Sequence, residues 1–239
     1  MNPRLSLIAD HLPFTWVDGP GNRIVFFFQG CNFDCTACHN PQTIPLDSVH
    51  AHRWSVDDLL TRLRASMPYI TGVTVSGGEA TLQHEFLVEF FSRIHADPEF
   101  AHLTTFIDSN GHVPREVWDA LAPVTNGVML DLKVLDDSLH RELTGQSNEL
   151  VLESIRHLAE VGLLYETRLM LAPGINDSDA QLAATAEWLM AIDPEMRIKI
   201  NHFHAHGTRA AAREWPEADD ERKARNREVL LGAGVRHLC

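Results

Sequence analysis

The sequence predicts an α/β protein built on parallel strands, folded as an open or partial (β/α) barrel. Three observations support this class. Short segments rich in β-branched and aromatic residues alternate with segments of helical period. The alternation repeats six times, and no low-complexity linker interrupts it. We therefore expect one domain over residues 1–239, with a doubly wound sheet as the alternative because sequence does not fix strand order.

The predicted strands are the apolar segments that end in turn residues. The first, IVFFFQ at 24–29, is a continuous apolar run, as expected of a strand buried on both faces. The others, in chain order, are 72–76, 103–108, 127–132, 165–171 and 197–202. In either candidate fold the functional residues lie at the carboxyl ends of such strands.

The predicted helices occupy the segments between the strands. The first begins well, because Ser55 can cap it and Asp57 and Asp58 lie in its first turn. The last carries acidic residues first and basic residues later, as a helix dipole prefers, and is expected to be solvated. The full set is 55–67, 84–96, 114–122, 136–161 with a break at Gly145, 177–192 and 219–233.

Composition excludes several classes of partner. The net charge of −13 argues against binding to nucleic acid, since phosphates would be repelled. No apolar stretch approaches the roughly 18 residues that a membrane span requires. Four cysteines in 239 residues, without a secretory signal, indicate a reducing compartment, and we expect a cytoplasmic protein.

Three of these cysteines form a C-x3-C-x2-C loop directly after the first strand. Cys31, Cys35 and Cys38 offer one thiolate fewer than the four that normally hold a four-iron cubane, which would leave one iron open to an outside ligand. Tetrahedral zinc, with His39, His50 or Cys239 as fourth ligand, is the alternative. It is less favoured because no second half-site follows at the usual distance.

Polar residues follow several strands and indicate a ligand site. Gly77 and Gly78 lack a Cβ, so their backbone can approach a small polar molecule closely. Because side chains alternate along a strand, Asp131 and Lys133 should face the same way, either toward a ligand or as an ordinary rim salt bridge. Arg168 lies in an apolar strand and should point to the barrel mouth or to an acidic partner.

These motifs together resemble a known family. CNFDCTACHN followed by SGGEATLQ is similar to the radical S-adenosylmethionine enzymes. VDGPGNRIVFFFQGC, followed in order by DSNG, MLDLK, LTG and FHAHG, resembles the activating enzymes of glycyl-radical enzymes. The resemblance covers about residues 7–207.

The resemblance implies a partial (β/α)6 TIM-like barrel that holds one 4Fe-4S cluster and S-adenosylmethionine. The reduced cluster would cleave the sulfonium, and the resulting 5'-deoxyadenosyl radical would remove hydrogen from one glycine of a partner glycyl-radical enzyme. Flavodoxin or ferredoxin would donate the electrons, and the protein would act as a monomer. A radical enzyme acting on a small molecule, or a non-catalytic metal-binding module, remains the alternative.

The resemblance also implies roles for individual residues. Cys31, Cys35 and Cys38 match the cluster ligands, and Asp18 falls where activating enzymes touch the glycine-loop peptide. A monovalent cation beside the cofactor carboxylate would bind Asp108, Ser109, Met129 and Asp131. The residues that match cofactor contacts are Gly77, Gly78, Glu79, Asp108, Ser109, Asp131, Lys133, Arg168 and His204.

Two features depart from the family pattern. Many relatives carry an aromatic residue before the third cysteine, near the adenine, whereas this chain has Ala37 there. Phe33 or His39 are the candidates to pack the adenine instead. The chain also lacks the cysteine-rich ferredoxin-like insert of several activating enzymes, and Cys239 alone cannot support a second cubane.

Overall fold

The computed structural model of the protein describes residues 5–239. Its strands are β1 (Leu5–Thr15), β2 (Arg23–Phe28), β3 (His52–Ser55), β4 (Gly72–Gly77), β5 (Thr104–Ser109), β6 (Gly127–Leu132), β7 (Leu164–Leu171), β8 (Arg197–His202) and β9 (His237–Leu238). Its α-helices are α1 (Val56–Ser66), α2 (His84–Ala96), α3 (Arg115–Leu121), α4 (Asp137–Thr144), α5 (Glu149–Glu160), α6 (Asp179–Ile192) and α7 (Asp220–Gly232).

Hydrogen bonds order the nine strands in one sheet as β3-β1-β2-β4-β5-β6-β7-β8-β9. The pairs β2–β4, β4–β5, β7–β8 and β8–β9 are parallel, whereas β1 is antiparallel to both β2 and β3. The edges of the sheet are β3 and β9, so the sheet is not closed. This mostly parallel sheet with intervening helices confirms the predicted α/β class.

The six predicted strands and the predicted helices are all present, with bounds that differ by at most two residues. The break expected at Gly145 is real, because this residue ends α4 in the left-handed region at φ 80°. The capping prediction for α1 is also confirmed, since Ser55 forms a capping box with Asp58.

Three strands escaped prediction, and each has a physical reason. β1 contains Pro13, which lies within a register shift against β2 between Leu12 and Thr15 and interrupts the alternation that identifies a strand. β3 has four residues and β9 has two, too few to show a period. Short edge strands of this kind become apparent only when the strand they pair with is known.

The chain divides into two compact units. The first consists of the chain up to Asn32, Gln42–Ser109 and Val113–Met129. Its core places Phe26 and Phe28 of β2 against aromatic rings of α2, with ring centroids 5.7 and 6.2 Å apart. Apolar residues buried between a strand and a helix hold the helix against the sheet.

The second unit consists of Phe33–Pro41, Asn110–His112 and Leu130–Cys239. The segment just before α6 is joined to α7 by Arg222, whose guanidinium donates two hydrogen bonds to the fully buried carboxylate of Asp177. The predicted solvated helix is therefore present as α7, but one of its arginines is a packing residue. None of the helices within residues 5–239 has the length and apolar character to cross a membrane.

Candidate functional site

In the first unit, the turn after β4 is built on close backbone approach. A Cβ on Gly77, whose φ is +119°, would lie 2.2 Å from the Phe28 nitrogen, and a Cβ on Gly78 would lie 2.2 Å from the Gly30 oxygen. The Gly78 N–H donates to the Phe28 carbonyl at 2.9 Å. Both glycines are thus required by the fold itself, whatever ligand they also meet.

Glu79, directly after this turn, is a fully buried carboxylate. Its Oε1 accepts hydrogen bonds from the Thr81 N–H at 3.1 Å, the Thr81 hydroxyl at 2.5 Å and the Ser109 hydroxyl at 2.9 Å. The predicted residues Glu79 and Ser109 are therefore brought together. Hydrogen bonds of this kind offset the cost of burying a charge and fix the orientation of the carboxylate.

Cys31 begins where the chain leaves β2, and its position is set by backbone hydrogen bonds. Its N–H donates to the Ile44 carbonyl at 3.0 Å, and the neighbouring Gly30 N–H donates to the Thr43 carbonyl at 2.8 Å. The Gly30 carbonyl in turn accepts from the Glu79 N–H at 2.7 Å. The start of the cysteine loop is therefore tied to the Gly78–Glu79 turn within the first unit.

The remaining predicted residues of this unit lie at strand ends or in the loop before β2. Asp108 accepts from the Ser76 hydroxyl at 2.9 Å. Met129 is completely buried in β6. Asp18 accepts from the Thr15 hydroxyl at 2.8 Å, so its carboxylate is oriented by its own loop.

Sequence analysis missed the group that holds the Asp18 loop. Arg23, the first residue of β2, is fully buried and donates to the Thr74 hydroxyl, the Val73 carbonyl and the Pro20 carbonyl at 2.7, 2.7 and 3.0 Å. The Thr74 hydroxyl donates onward to the Asp18 carbonyl at 2.6 Å. An arginine at the start of an otherwise apolar strand was the available signal.

In the second unit, Cys35 and Cys38 lie in a loop anchored on the last turn of α4. The N–H groups of Asp34 and Thr36 donate to the Thr144 and Leu143 carbonyls, both at 2.9 Å. These carbonyls belong to the helix end, which has no intrahelical partners for them. The N–H groups of the loop therefore satisfy the terminal carbonyls of α4, and the same hydrogen bonds fix the position of the loop.

Both thiols have a raised pKa in the metal-free protein. Burial raises the pKa of Cys35 to about 11, against the opposing effect of the Lys133 ammonium. Burial also raises the pKa of Cys38, although a backbone hydrogen bond at Asn40 and the charge of Lys133 work in the other direction. Each thiol must therefore lose a proton to become a metal ligand.

Asp131 and Lys133 form an ion pair at the end of β6. The Lys133 Nζ donates to Asp131 Oδ2 at 2.7 Å, and both side chains are mostly shielded from solvent. They face the same way, as predicted from their spacing. The same ammonium acts electrostatically on Cys35, which places a positive charge near a predicted cluster ligand.

Arg168 and His204 each have an acidic partner. Arg168 Nε donates to Glu166 Oε1 at 2.7 Å, and both side chains are buried, so the second of the two predicted orientations is found. His204 is exposed and lies 3.1 Å from Glu217. Glu217 also accepts from the Ala205 N–H at 2.8 Å and so ties down the backbone beside His204.

The two aromatic candidates for packing the adenine have different surroundings. Phe33 is buried between His112 and His140, with ring centroids 5.3 and 5.4 Å away. His39 is exposed, and its Nε2 lies 2.9 Å from the His204 carbonyl oxygen. Adenine packing by either residue stays a prediction.

The donor set fits an iron–sulfur cluster. All four cysteines are reduced thiols, and the three in the loop are only partly exposed. Within residues 5–239, no three His, Cys, Asp or Glu side chains converge as the ligands of a single metal ion would. A cubane makes no such demand, because each thiolate binds a different iron.

A family model adds independent evidence. The model described as the radical SAM superfamily matches residues 25–186, which include the three cysteines and the turn after β4. This chain belongs to the radical SAM superfamily. Its cofactors are accordingly one 4Fe-4S cluster and S-adenosylmethionine, abbreviated SAM, and it is an enzyme.

Curated relatives narrow the radical SAM assignment. The pyruvate formate-lyase-activating enzyme of Streptococcus mutans is 34% identical over 84% of this chain and 79% of its own length. The pyruvate formate-lyase 1-activating enzyme of Escherichia coli K12 is 35% identical over 80% and 78% of the two chains. A putative glycyl-radical enzyme activating enzyme of Haemophilus influenzae is 30% identical over 84% and 83%. Within the superfamily, the chain belongs with these activating enzymes.

Solved structures support the radical SAM fold alone. A domain of a pyruvate-formate lyase-activating enzyme from Bacteroides vulgatus matches with a TM-score of 0.58 at 23% identity, over 70% of this chain and 97% of that chain. A radical SAM methyltransferase from Sphaerobacter thermophilus matches with a TM-score of 0.65 at 16% identity, over 99% and 76%. Radical SAM folds are TIM-like partial barrels, which agrees with the predicted class.

Proposed function

We propose that this protein activates a glycyl-radical enzyme by removing a hydrogen atom from one glycine of that partner. The observation that carries the proposal is the C-x3-C-x2-C loop in a chain 34% identical, over 84% of its length, to a pyruvate formate-lyase-activating enzyme. The partner would be an enzyme of the pyruvate formate-lyase class. The family match over residues 25–186 draws on both compact units, which supports one functional domain over residues 1–239.

Cys31, Cys35 and Cys38 would hold the cluster, with SAM completing the iron they leave open. When bound, these cofactors supply a low-potential electron and a carbon radical that can take hydrogen from a backbone glycine. The three thiols are partly shielded from solvent, and assembly of the cluster would release their protons because thiolates are the ligands.

Charged groups at the strand ends would bind the cofactor. The buried Glu79 carboxylate, fixed by three donors on one oxygen, is suited to receive the SAM amino group beside Gly77 and Gly78. Lys133, Arg168 and His204 are proposed as further SAM contacts. The groups proposed for a monovalent cation beside the SAM carboxylate are Asp108, Ser109, Met129 and Asp131.

Substrate and electrons must come from outside this chain. Asp18 is proposed to contact the glycine-bearing peptide, because its loop is held rigidly by Arg23 and Thr74. The chain has one cysteine outside the loop, Cys239, too few for a second cubane. We therefore propose flavodoxin or ferredoxin as the direct electron donor, and a monomer acting in the cytoplasm.

Electron paramagnetic resonance tests this function directly. The anaerobically reconstituted protein is reduced and mixed with SAM and a glycyl-radical enzyme such as pyruvate formate-lyase. We expect an organic doublet on the partner and cleavage of SAM. Cys35→Ala should lose both the cluster and cleavage, whereas the matched control Cys239→Ala should keep them. Cleavage by Cys35→Ala would show that the cluster assignment is wrong.

A further inference from the structure

The segment after β8 contacts the cysteine loop at several points, although it contains no predicted cluster ligand. We call this segment, Phe203–Ala212, the strap. Arg209 contacts the loop at Asp34. The apolar side chains of Phe203 and Ala212 pack in one cluster with Ala37 of the loop. A third contact is with the end of the loop, where His39 Nε2 lies 2.9 Å from the His204 carbonyl oxygen.

Arg209 makes the polar part of this attachment. Its Nη1 donates to the Asp34 carbonyl at 3.0 Å, pairs with the Asp34 carboxylate at 2.5 Å and lies 3.4 Å from the Cys35 carbonyl. One nitrogen of a rigid, permanently charged guanidinium thus faces acceptors on two consecutive residues, one of them a proposed cluster ligand.

The backbone of the loop is consequently held from two sides. Its N–H groups at Asp34 and Thr36 donate to the end of α4, while its carbonyl at Asp34 accepts from Arg209. Ala37 is buried in one apolar cluster with Phe203 and Ala212 of the strap. Hydrogen bonds on both edges and an apolar contact between them restrict the loop more than either set alone.

The strap has its own anchor on its far side. Glu217 accepts from the His204 ring at 3.1 Å and from the Ala205 N–H at 2.8 Å. Without such a tie, an exposed segment would be free to move away from the loop. Glu217 therefore holds the strap at His204 and Ala205.

We propose that Arg209 is a positioning residue for the cluster ligands: through the Asp34 and Cys35 carbonyls, it holds the cysteine loop in the geometry that retains iron. This inference rests on the proposed role of the three cysteines. Groups outside the ligand shell commonly control metal retention by orienting the ligands. The ion pair itself contributes little, because the Asp34 side chain is 67% exposed, so the carbonyl contacts carry the effect.

The test measures iron release from the reconstituted protein to a chelator under anaerobic conditions. Arg209→Ala should release iron about tenfold faster than wild type, the lower end of the usual effect of groups beyond the ligands. Arg213→Ala, an exposed neighbour in the chain, is the matched control and should release iron at the wild-type rate. Asp34→Asn keeps both carbonyl acceptors and should stay within about twofold of wild type.

Two further measurements distinguish the effect of the Arg209 guanidinium geometry from that of its charge, and distinguish failure of this inference from failure of the proposed function. Arg209→Lys keeps the charge but replaces the planar fork by a point donor, and should still release iron faster than wild type. Release at the wild-type rate by Arg209→Lys, or by Arg209→Ala, would overturn the proposal. If the wild-type protein binds no iron, the proposed function fails. Amide hydrogen exchange of residues 34–38 in the metal-free protein still tests the role of Arg209. Unchanged exchange in Arg209→Ala would refute the proposed positioning role.

Discussion

The turn after β4 requires a residue without a side chain at Gly78. The position that a Cβ of Gly78 would take lies 2.2 Å from the Gly30 oxygen and 2.7 Å from the Thr43 oxygen. Both atoms are backbone, so neither can rotate away. The Gly-Gly pair that suggested a ligand cradle in the sequence is therefore first a requirement of the fold, since it lets the start of the cysteine loop pack on this turn.

We expect Gly78→Ala to destabilise the protein by about 3 kcal/mol, the upper end for overpacking, because backbone must move to admit the methyl group. Urea unfolding of the metal-free protein measures this change. The matched control is Gly232→Ala at the end of α7, where a Cβ would meet nothing within 4 Å. It should be stabilising by roughly 0.5–1 kcal/mol. Equal unfolding midpoints for the two variants would contradict the steric argument.

The Asp131–Lys133 pair allows two interpretations that experiment can separate. If the pair serves the cofactor, Asp131→Ala and Lys133→Ala should each weaken SAM binding about tenfold, the equivalent of one lost hydrogen bond to a charged group. Isothermal titration of the reconstituted protein measures the binding. Lys223→Ala, on exposed α7, is the control. Both variants should keep their iron, and loss of iron in either would instead indicate a structural pair.

At the scale of elements, α6 and the segment just before it are joined to α7 by ion pairs of different burial. Asp177 is completely buried, and its carboxylate accepts from Arg222 and from the Gly174 N–H. Burial, the largest single effect, would raise the pKa of Asp177, but the hydrogen bonds from Arg222 and the Gly174 N–H together with the charge of Arg222 outweigh it, and the pKa is lowered. Asp179 pairs with Arg225 beside it, and both of those side chains are about half exposed.

Arg222→Ala should therefore destabilise the protein by about 2 kcal/mol, because it leaves the buried Asp177 carboxylate without its cationic partner. The effect is smaller than for a fully buried pair because Arg222 is partly exposed. Arg225→Ala should have a clearly smaller effect, because a solvent-exposed ion pair contributes little to stability. Thermal unfolding of the metal-free variants compares them. A larger loss in Arg225→Ala would show that burial does not rank these pairs.

Two relations between elements position the cysteine loop, and neither was predicted. β1 supplies the antiparallel neighbour of β2, whose end leads into Cys31. α4 offers its terminal carbonyls to the loop that carries Cys35 and Cys38. Neither relation has a local signature, because antiparallel pairing and helix-end acceptors are completed by residues elsewhere in the chain.

At the scale of the whole molecule, partly or fully buried histidines link stability to pH. Burial is the largest cause of a lowered pKa at His11, His112, His140 and His202. Each is neutral in the folded protein at pH values where the unfolded chain, with a pKa near 6.5, already binds a proton. Protons are thus taken up on unfolding, and acid favours the unfolded state in this range.

Stability should fall as the pH is lowered from 7.5 through about 6.5 to 5.5, the window set by the ordinary histidine pKa. Urea midpoints of the metal-free protein across this range measure the slope. His140→Asn, which can still donate to the Gln146 carbonyl as His140 Nδ1 does, should flatten it. A slope unchanged in that variant would show that His140 does not contribute. Asp137 acts separately, since Arg141 lowers its pKa to about 2 and its contribution is lost only in stronger acid.

Local sequence was enough to predict the βα alternation, the cap of α1 and the end of α4 at Gly145. Each of these depends on residues within a few positions of one another, where periodicity and capping act directly. The family resemblance added the cofactors and the class of partner, which the comparisons support.

Tertiary structure alone decided which distant groups complete each site. Asp34 and Arg209 are separated by 175 positions, and Arg23 and Thr74 by 51, so no spacing in the chain could pair them. Local order follows from neighbours along the chain, whereas the support of a functional loop depends on how folding distributes hydrogen bonds and burial among residues far apart.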